Sequence, residues 1–398
     1  MKILHVIASM DPKKGGVSQA VRTMVKSLKE LNVVSEVACL DVPENSFSTI
    51  DSFTTHTLGP AKGPWAYSAA LKHWLEENIN DFNAVIVHGL WLYPSFITAK
   101  CIKKAKKDGK TNIKFFVMPH GMLDPYFQEA SGRKLKALRN KVYWKLIESA
   151  VVNNADNILF TCEEEKILAR KPFSPYRPKN ETVVGLGVET PPVYHPTMRD
   201  AFIQKCPAVG SSDYLLFLGR IHEKKGVDLL VKAYAEKIIK CLKKDDLANI
   251  AKLVIAGPGL DEVFGKQVQK MVNDIAGLKQ YILFPGMLDG DAKWGAFYGC
   301  NAFILPSHQE NFGIAVVEAL VCGKLVLISN QVNIWREIKE STAGLVGDDT
   351  ELGIATLLSE WEKLTVGDRI ELFQQNALAC YEKYFALGPS AEKIIGLI

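Results

Sequence analysis

Ten short runs of almost unbroken hydrophobicity punctuate the chain. "KILHVIAS", "VVSEVACL", "AVIVHGL", "KFFVMPHG" and "NILFTCEE" fall in the first half. "YLLFLGR", "KLVIAGPG", "YILFPGML", "AFILPS" and "KLVLISN" follow in the second. They are short, rich in β-branched and aromatic residues, and apolar on both faces, as parallel strands covered on both sides must be. Between them lie stretches such as "GGVSQAVRTMVKSLKEL" and "GVDLLVKAYAEKIIKCL", whose apolar residues recur three and four apart, the period of a helix with one buried face. Strand and helix patterns in alternation predict an α/β parallel sheet, and here the alternation runs twice. Between the two runs, "TPPVYHPTMRDAFIQKCPAVGSSD" is rich in Pro, Ser and Gly and carries no strand pattern. The expected organisation is therefore an N-terminal Rossmann-like domain over 1–190, a linker over 191–212 and a second Rossmann-like domain over 213–379. A last helix, about 380–398, is expected to return to the first domain. In such sheets ligands bind at the carboxyl ends of the strands, so two domains facing across a cleft would both send loops into it.

Composition narrows the class. The chain has 398 residues, 47% of them apolar and 23% charged, enough for two soluble domains. No apolar run reaches the roughly 18–20 residues that span a bilayer, and "MKILHVIASM" reads as a first strand rather than a signal peptide. The eight cysteines are scattered without a CxxC pair, which argues for a reducing cytoplasm and against a disulfide framework or a zinc site. Charge is uneven: residues 1–190 hold 26 Lys and Arg against 19 Asp and Glu, the remainder 22 against 25. A positive first half suits an anionic partner, either a phosphorylated ligand or a membrane surface, although a merely solvated basic face would look the same.

The densest chemistry lies in "PSHQENFGIAVVEALVCG", residues 306–323. A strand ends near Ser307, a loop holds Glu310, and a helix begins near Gly313. The backbone N–H groups of Phe312, Gly313, Ile314 and Ala315 would stand at the positive end of that helix, where an anion is favoured. Gly313 leaves the backbone open to it. Glu318 lies ~7.5 Å further along the axis and its side chain leans back toward the helix start. Phosphate at the helix end, with hydroxyls taken by Glu310 on one side and Glu318 on the other, matches a nucleotide-sugar. In "FLGRIHEKKGVDLLVKAY", Arg220 and Lys225 stand after a strand that ends at Gly219. A guanidinium fork and an ammonium suit a diphosphate leaving group. Read blandly, the four residues are solvated charges; their convergence on one strand edge favours the functional reading.

"GRxxxxKG" at 219–226 and "ExFGxxxxE" at 310–318, on a doubled Rossmann pattern, resemble the retaining GT-B glycosyltransferases of family 4. Supporting matches are Gly15-Gly16 after the first strand, "PHG" at 119–121, "GLGVET" at 185–190 where the family usually has "NGVD", and "LVIAGPG" at 253–259. The resemblance implies transfer of a sugar from a nucleoside diphosphate, with retention, onto a glycan or polyprenyl-linked glycolipid of a surface polysaccharide or lipopolysaccharide type. It assigns Arg220 and Lys225 to the diphosphate, Glu310 to the sugar hydroxyls, and Phe312, Gly313 and Ile314 to backbone contacts nearby. Glu318 would take the ribose, Gly16 would approach the phosphate, and Pro285, Gly286 and Met287 would frame the base. His120 would stand beside the anomeric carbon. Leu186 replaces the family's Asn, so no role passes to it. No carboxylate sits in a motif that demands a nucleophile, which favours same-face attack with the leaving phosphate taking the acceptor's proton. No Asp-x-Asp stands where a metal-bound diphosphate would need one, so neither metal nor cofactor is expected.

Three further readings concern the acceptor side. His88, at the end of a strand, and Trp91 after it are candidates for acceptor contact, whereas His5, inside a strand, reads as structural. The basic stretches 100–110 and 132–149 could attach the protein peripherally to the cytoplasmic face of an anionic inner membrane. Within the second, Leu135, Leu138, Val142 and Leu146 share a helical face and are expected to pack on the core. Rival functions fit less well. A glycan phosphorylase would need a pyridoxal lysine and a longer chain. A nicotinamide dehydrogenase would need GxGxxG after the first strand, where "DPKKGG" stands. A non-catalytic nucleotide-sugar or glycan binding protein would have no use for Arg220, Lys225, Glu310 and Glu318 together.

Overall fold

The computed structural model describes residues 1–12, 16–45, 51–109, 112–129, 134–244, 250–365 and 370–398. The chain forms two compact units, one of Met1–Glu189 with Phe385–Ile398, the other of Thr190–Tyr384. Each is a parallel sheet between helices.

The first unit's sheet contains β1 (Lys2–Ile7), β2 (Val34–Cys39), β3 (Thr54–Thr57), β4 (Ala84–His88), β5 (Lys114–Met118), β6 (Asn157–Phe160) and β7 (Glu181–Val183). Their order is β3-β2-β1-β4-β5-β6-β7, every pair parallel. The chain winds one way from β1 to β3 and the other way from β4 onward, so the switch point lies between β1 and β4. Register sets Ile7 opposite His88 and His88 opposite Met118 at the carboxyl ends of three adjacent strands. The helix Leu387–Ile395 completes this unit: Ala391 and Ile394 are buried with Ile3, Met24, Ile86 and Phe116.

The second sheet contains β8 (Tyr214–Leu218), β9 (Lys252–Ala256), β10 (Ile282–Gly286), β11 (Ala302–Leu305), β12 (Leu325–Ser329) and β13 (Gly344–Gly347), in the order β10-β9-β8-β11-β12-β13 and wholly parallel. Its switch point lies between β8 and β11. The ten apolar runs of the sequence are β1, β2, β4, β5, β6, β8, β9, β10, β11 and β12. The three strands without such a run, β3, β7 and β13, are all sheet edges. "TTHT", "ETV" and "GLVG" have only one strand neighbour each and stay partly exposed, so little hydrophobicity is required of them.

Two expectations are corrected. The stretch 191–212, expected as a linker, belongs to the second unit and contains the helix Pro196–Lys205. Pro196 opens that helix at its first position, where a missing N–H costs nothing. Met198 and Phe202, four apart, are buried. The helix packs on Gly290–Gly299, where any side chain at Gly295 would collide with the Met198 carbonyl. The second correction concerns Leu135, Leu138, Val142 and Leu146, which are 85%, 62%, 52% and 76% exposed. The inward face of this segment is Ala137, Trp144 and Glu148, with Tyr143 and Ile147 half-buried. A π-helical turn over Trp144–Glu148 shifts the phase of the helix there. The leucine stripe is thus turned away from the core.

Candidate active site in the second unit and a histidine row in the first

In the second unit, sequence-distant groups gather at the carboxyl ends of β8 and β11. Lys225 forms an ion pair with Glu310, both side chains about three-quarters buried or more. What brings them together is a close backbone approach. Gly226 has φ +63°, and a side chain on it would strike the Pro306 carbonyl just after β11. Only glycine lets the 223–226 turn seat itself there, which carries Lys225 onto the loop of Glu310. The His308 N–H donates to the Lys224 carbonyl at 2.8 Å and fastens the same two loops. Glu310 is anchored on its other side, donating its N–H to the Gln331 carbonyl and accepting at its own carbonyl from the Asn333 N–H. Burial, and secondarily the neighbouring Lys224, holds the Lys225 ammonium down at about 8.

The helix Ile314–Val321 begins two residues beyond Phe312, with Gly313 at its N-cap in the left-handed region, φ +79°. Gly313 offers no capping side chain. Its carbonyl accepts from the N–H groups of Val316 and Val317, while among the described residues nothing accepts from those of Ile314 and Ala315. Two donors are therefore free at the positive end of the helix. Phe312 is buried. One turn and more along, Glu318 accepts from Lys293 Nζ at 2.6 Å. Lys293, on the helix Gly290–Gly299, carried no signal in the sequence beyond being one helical lysine among many.

Arg220 leaves the end of β8 exposed and pairs with Glu262 at 2.7 Å, so it is a separate, open ion pair. Gly219 precedes it, donating its N–H to the Ala256 carbonyl. Pro285 and Gly286 end β10, and Met287 beyond them is 64% exposed. The structure thus brings Lys225 and Glu310 into contact, places the Gly313 helix start beside Glu310, and joins Glu318 to a lysine that sequence reasoning missed.

The first unit holds the other candidates. His5 on β1, His88 at the end of β4 and His120 just after β5 form one row. His5 Nδ1 lies 3.0 Å from His88 Nε2, and His88 Nδ1 lies 2.9 Å from His120 Nε2. The rings are stacked at 5.2 Å between each pair of centroids. Burial lowers all three: His5 to about 3, His120 to about 4, and His88 well below the usual value, with its two neighbours adding to the effect. His120 has φ +52°. Its loop is pinned by the next residue, whose N–H donates to the buried Glu165 carboxylate at 2.5 Å; Glu165 also accepts from the N–H and hydroxyl of Thr161.

His88 also lines a cavity of about 160 Å³ at the switch point, with Ser9, Ser18, Ser95 and Met122. Behind it lies Glu148, fully buried, accepting the Trp91 N–H at 2.7 Å and the Ser95 hydroxyl at 2.8 Å. Burial pushes this carboxyl up to about 7. Trp91 itself, with φ +73°, packs its ring among Tyr143, Trp144 and Phe173. Gly16 opens the helix Gly16–Glu30 and is exposed, with no described residue near the position of a side chain. Its neighbour Gly15 lies outside the described residues, as do Lys110, Gly132 and Arg133 of the basic stretches.

Those basic stretches meet on one surface. Lys100, Lys103 and Lys106 of the helix Tyr93–Lys107 line an apolar hollow of about 320 Å³ with Phe96, Leu146 and Ile147. Among the described residues no helix is long and apolar enough to cross a membrane, and no group of His, Cys, Asp and Glu could hold a metal ion.

Comparison with known proteins bears on the fold and the family. Residues 198–365 match the family model described as glycosyl transferases group 1, and residues 14–190 match that of glycosyltransferase family 4. An uncharacterized glycosyltransferase of Methanocaldococcus jannaschii is 28% identical over 178 residues, 43% of this chain and 40% of that protein. A D-inositol 3-phosphate glycosyltransferase of Geodermatophilus obscurus is 25% identical over 232 residues, 56% of this chain and 50% of the relative. The chain thus spans half or less of the length of these two relatives. A glycosyltransferase from Rickettsia africae ESF-5 superposes with a TM-score of 0.76 at 17% identity, covering 100% of this chain and 97% of the other. Anabaena Alr3699/HepE, solved in complex with UDP and glucose, gives 0.73 at 16% identity, covering 100% and 98%.

Proposed function

The chain belongs to the GT-B glycosyltransferases of family 4, and from that premise we propose that it transfers a sugar from a nucleoside diphosphate, with retention and without a metal, to a glycan or glycolipid acceptor. The observation that carries this reading is the Lys225–Glu310 pair beside the two free N–H groups of the Gly313 helix start. A buried ammonium and a helix end both seek a diphosphate, and a carboxylate next to them seeks hydroxyls. The diphosphate takes Lys225 and Arg220, and the departing charge is stabilised by fixed positive groups. Glu310 is released to the sugar, and Glu318, held by Lys293, receives the ribose. Pro285 to Met287 frame the base. His120, in the first unit, contacts the sugar or its departing phosphate, with His88 and Trp91 on the acceptor side. Same-face attack, with the leaving phosphate taking the acceptor's proton, needs no protein nucleophile.

The acceptor reading is a lipid-linked or surface glycan made at the cytoplasmic face. The exposed stripe of Leu135, Leu138, Val142 and Leu146, flanked by Lys136, Arg139, Lys141 and Lys145 and adjoining the Lys100–Lys106 hollow, supports peripheral binding to an anionic bilayer. The deciding experiment incubates purified protein with UDP-, GDP- and ADP-sugars, with and without EDTA. Release of one nucleoside diphosphate, undiminished by EDTA, supports the reading; tight binding with no release would make the protein a non-catalytic binder. The anomeric configuration of the transferred sugar, read by NMR, tests retention.

A further inference from the structure

In the row His5–His88–His120, burial disfavours a charge on every ring. The middle ring, His88, if neutral, donates from one nitrogen and accepts at the other, so the two hydrogen bonds share a single direction. The carboxylates of the neighbouring loops are otherwise engaged: Glu165 accepts from Gly121 and Thr161, and Glu148 from Trp91 and Ser95. Neither bonds to a ring of the row. Among the described residues the row therefore lacks the carboxylate that elsewhere stabilises an imidazolium.

Its two ends differ. At the inner end, His5 Nε2 is buried and without a partner. At the outer end, His120 is half-buried, and among the described residues only His88 bonds to its ring, through Nε2. Two directions are open. If His5 and His88 donate from Nδ1, the buried orphan is a lone pair and His120 offers Nδ1–H. If the direction is reversed, the orphan is an N–H and His120 offers a lone pair. Buried donors without partners are rarer than under-used acceptors, which favours the first.

We infer that His5 and His88 are positioning residues that hold His120 as an uncharged imidazole with its proton on Nδ1, so that it meets a ligand oxygen as a hydrogen-bond donor. This rests on the reading above that His120 contacts the sugar or the departing phosphate. It also gives His5, fully buried two residues before the carboxyl end of β1, a task beyond packing.

The test uses the full chain labelled with 15N-histidine. Proton–nitrogen correlation spectra should show the three rings neutral, each protonated on Nδ1, without titration from pH 5.5 to 8. A ring that titrates in that range, a proton on Nε2 of His120, or mixed tautomers would overturn the inference. The His5→Leu variant removes the inner bond; it should lower kcat by about tenfold or more, as small losses of alignment do, with the donor KM nearly unchanged. His5→Asn, whose amide can occupy the place of Nδ1, should recover most of that loss. Wild-type kcat in His5→Leu overturns the positioning role. Should His5→Leu fail to fold, the wild-type spectra and the Asn variant still decide. Full activity in His120→Ala would instead refute the assignment of His120 while leaving the row's protonation intact, so the two failures are distinguishable.

Discussion

The absence of a side chain at Gly226 lets the turn of Lys225 seat against Pro306, beside Glu310. In Gly226→Ala, the new Cβ meets the Pro306 carbonyl at a backbone angle alanine avoids. The turn must move, at a cost of about 1–3 kcal/mol or more. Thermal denaturation should show a lower Tm, and turnover should fall further than stability alone accounts for. Lys225 adds a pH dependence. Its native value of about 8 lies below the 10.5 of an unperturbed lysine, so the native state releases the proton first. Stability from this group therefore rises as pH passes from about 8 to 10.5, while binding of a diphosphate weakens as the charge is lost. The expected profile of kcat/KM falls above about pH 8, and Lys225→Arg should move that limb upward. Glu148 has the opposite sign. Its native value of about 7 exceeds the ordinary 4.5, so the native state keeps a proton that the unfolded chain has lost, and stability declines from pH 4.5 to 7. Glu148→Gln keeps the oxygen that Trp91 and Ser95 use. It should gain roughly 1–3 kcal/mol over the parent at pH 8 and nothing near pH 4.5, as urea titrations at the two pH values would show. None of Glu148, Glu165 or Lys293 could be singled out in the sequence. A buried carboxylate and a paired helical lysine are spelled the same as solvated ones.

Among the elements, buried strands were legible because a parallel strand under two layers of helix must be apolar at every position. Three of the four edge strands, β3, β7 and β13, were not, because they need little burial and their residues show it; the fourth, β10, kept an apolar run. The "GRxxxxKG" and "ExFGxxxxE" spacings were legible for a related reason: glycine at a close approach and charge at a strand end cannot be exchanged freely. The helix Lys134–Tyr143 misled for the reverse reason. Its leucines repeat at the helical period, but its buried position is Ala137, and the π turn that follows breaks the phase and turns Trp144 and Glu148 inward. Because the leucines touch solvent, replacing Leu135, Leu138 and Leu146 by Ser should leave the Tm nearly unchanged, within about 0.5 kcal/mol per site. The same variant should lose binding to vesicles containing anionic lipid, measured by co-sedimentation. Retained binding would move the membrane contact elsewhere.

At the scale of the whole molecule, the chain passes from the first unit to the second at Glu189–Thr190 and back at Tyr384–Phe385. Ile394 is fully buried in the first unit, against residues from the opening strand and helix. Ile394→Ala should cost about 2–5 kcal/mol there, a large share of what holds a domain together. Saturating nucleoside diphosphate, at a hundred times its Kd, adds about 2.7 kcal/mol to the state that binds it. Calorimetry on wild type and Ile394→Ala, with and without the nucleotide, would show whether that stabilisation falls on the transition the mutation leaves alone. Order of synthesis gives the return of the chain its last consequence. On a ribosome, residues 190–384 have all been joined before Ile394 exists, so the unit begun first must wait, with a groove open on its sheet, while its successor is finished.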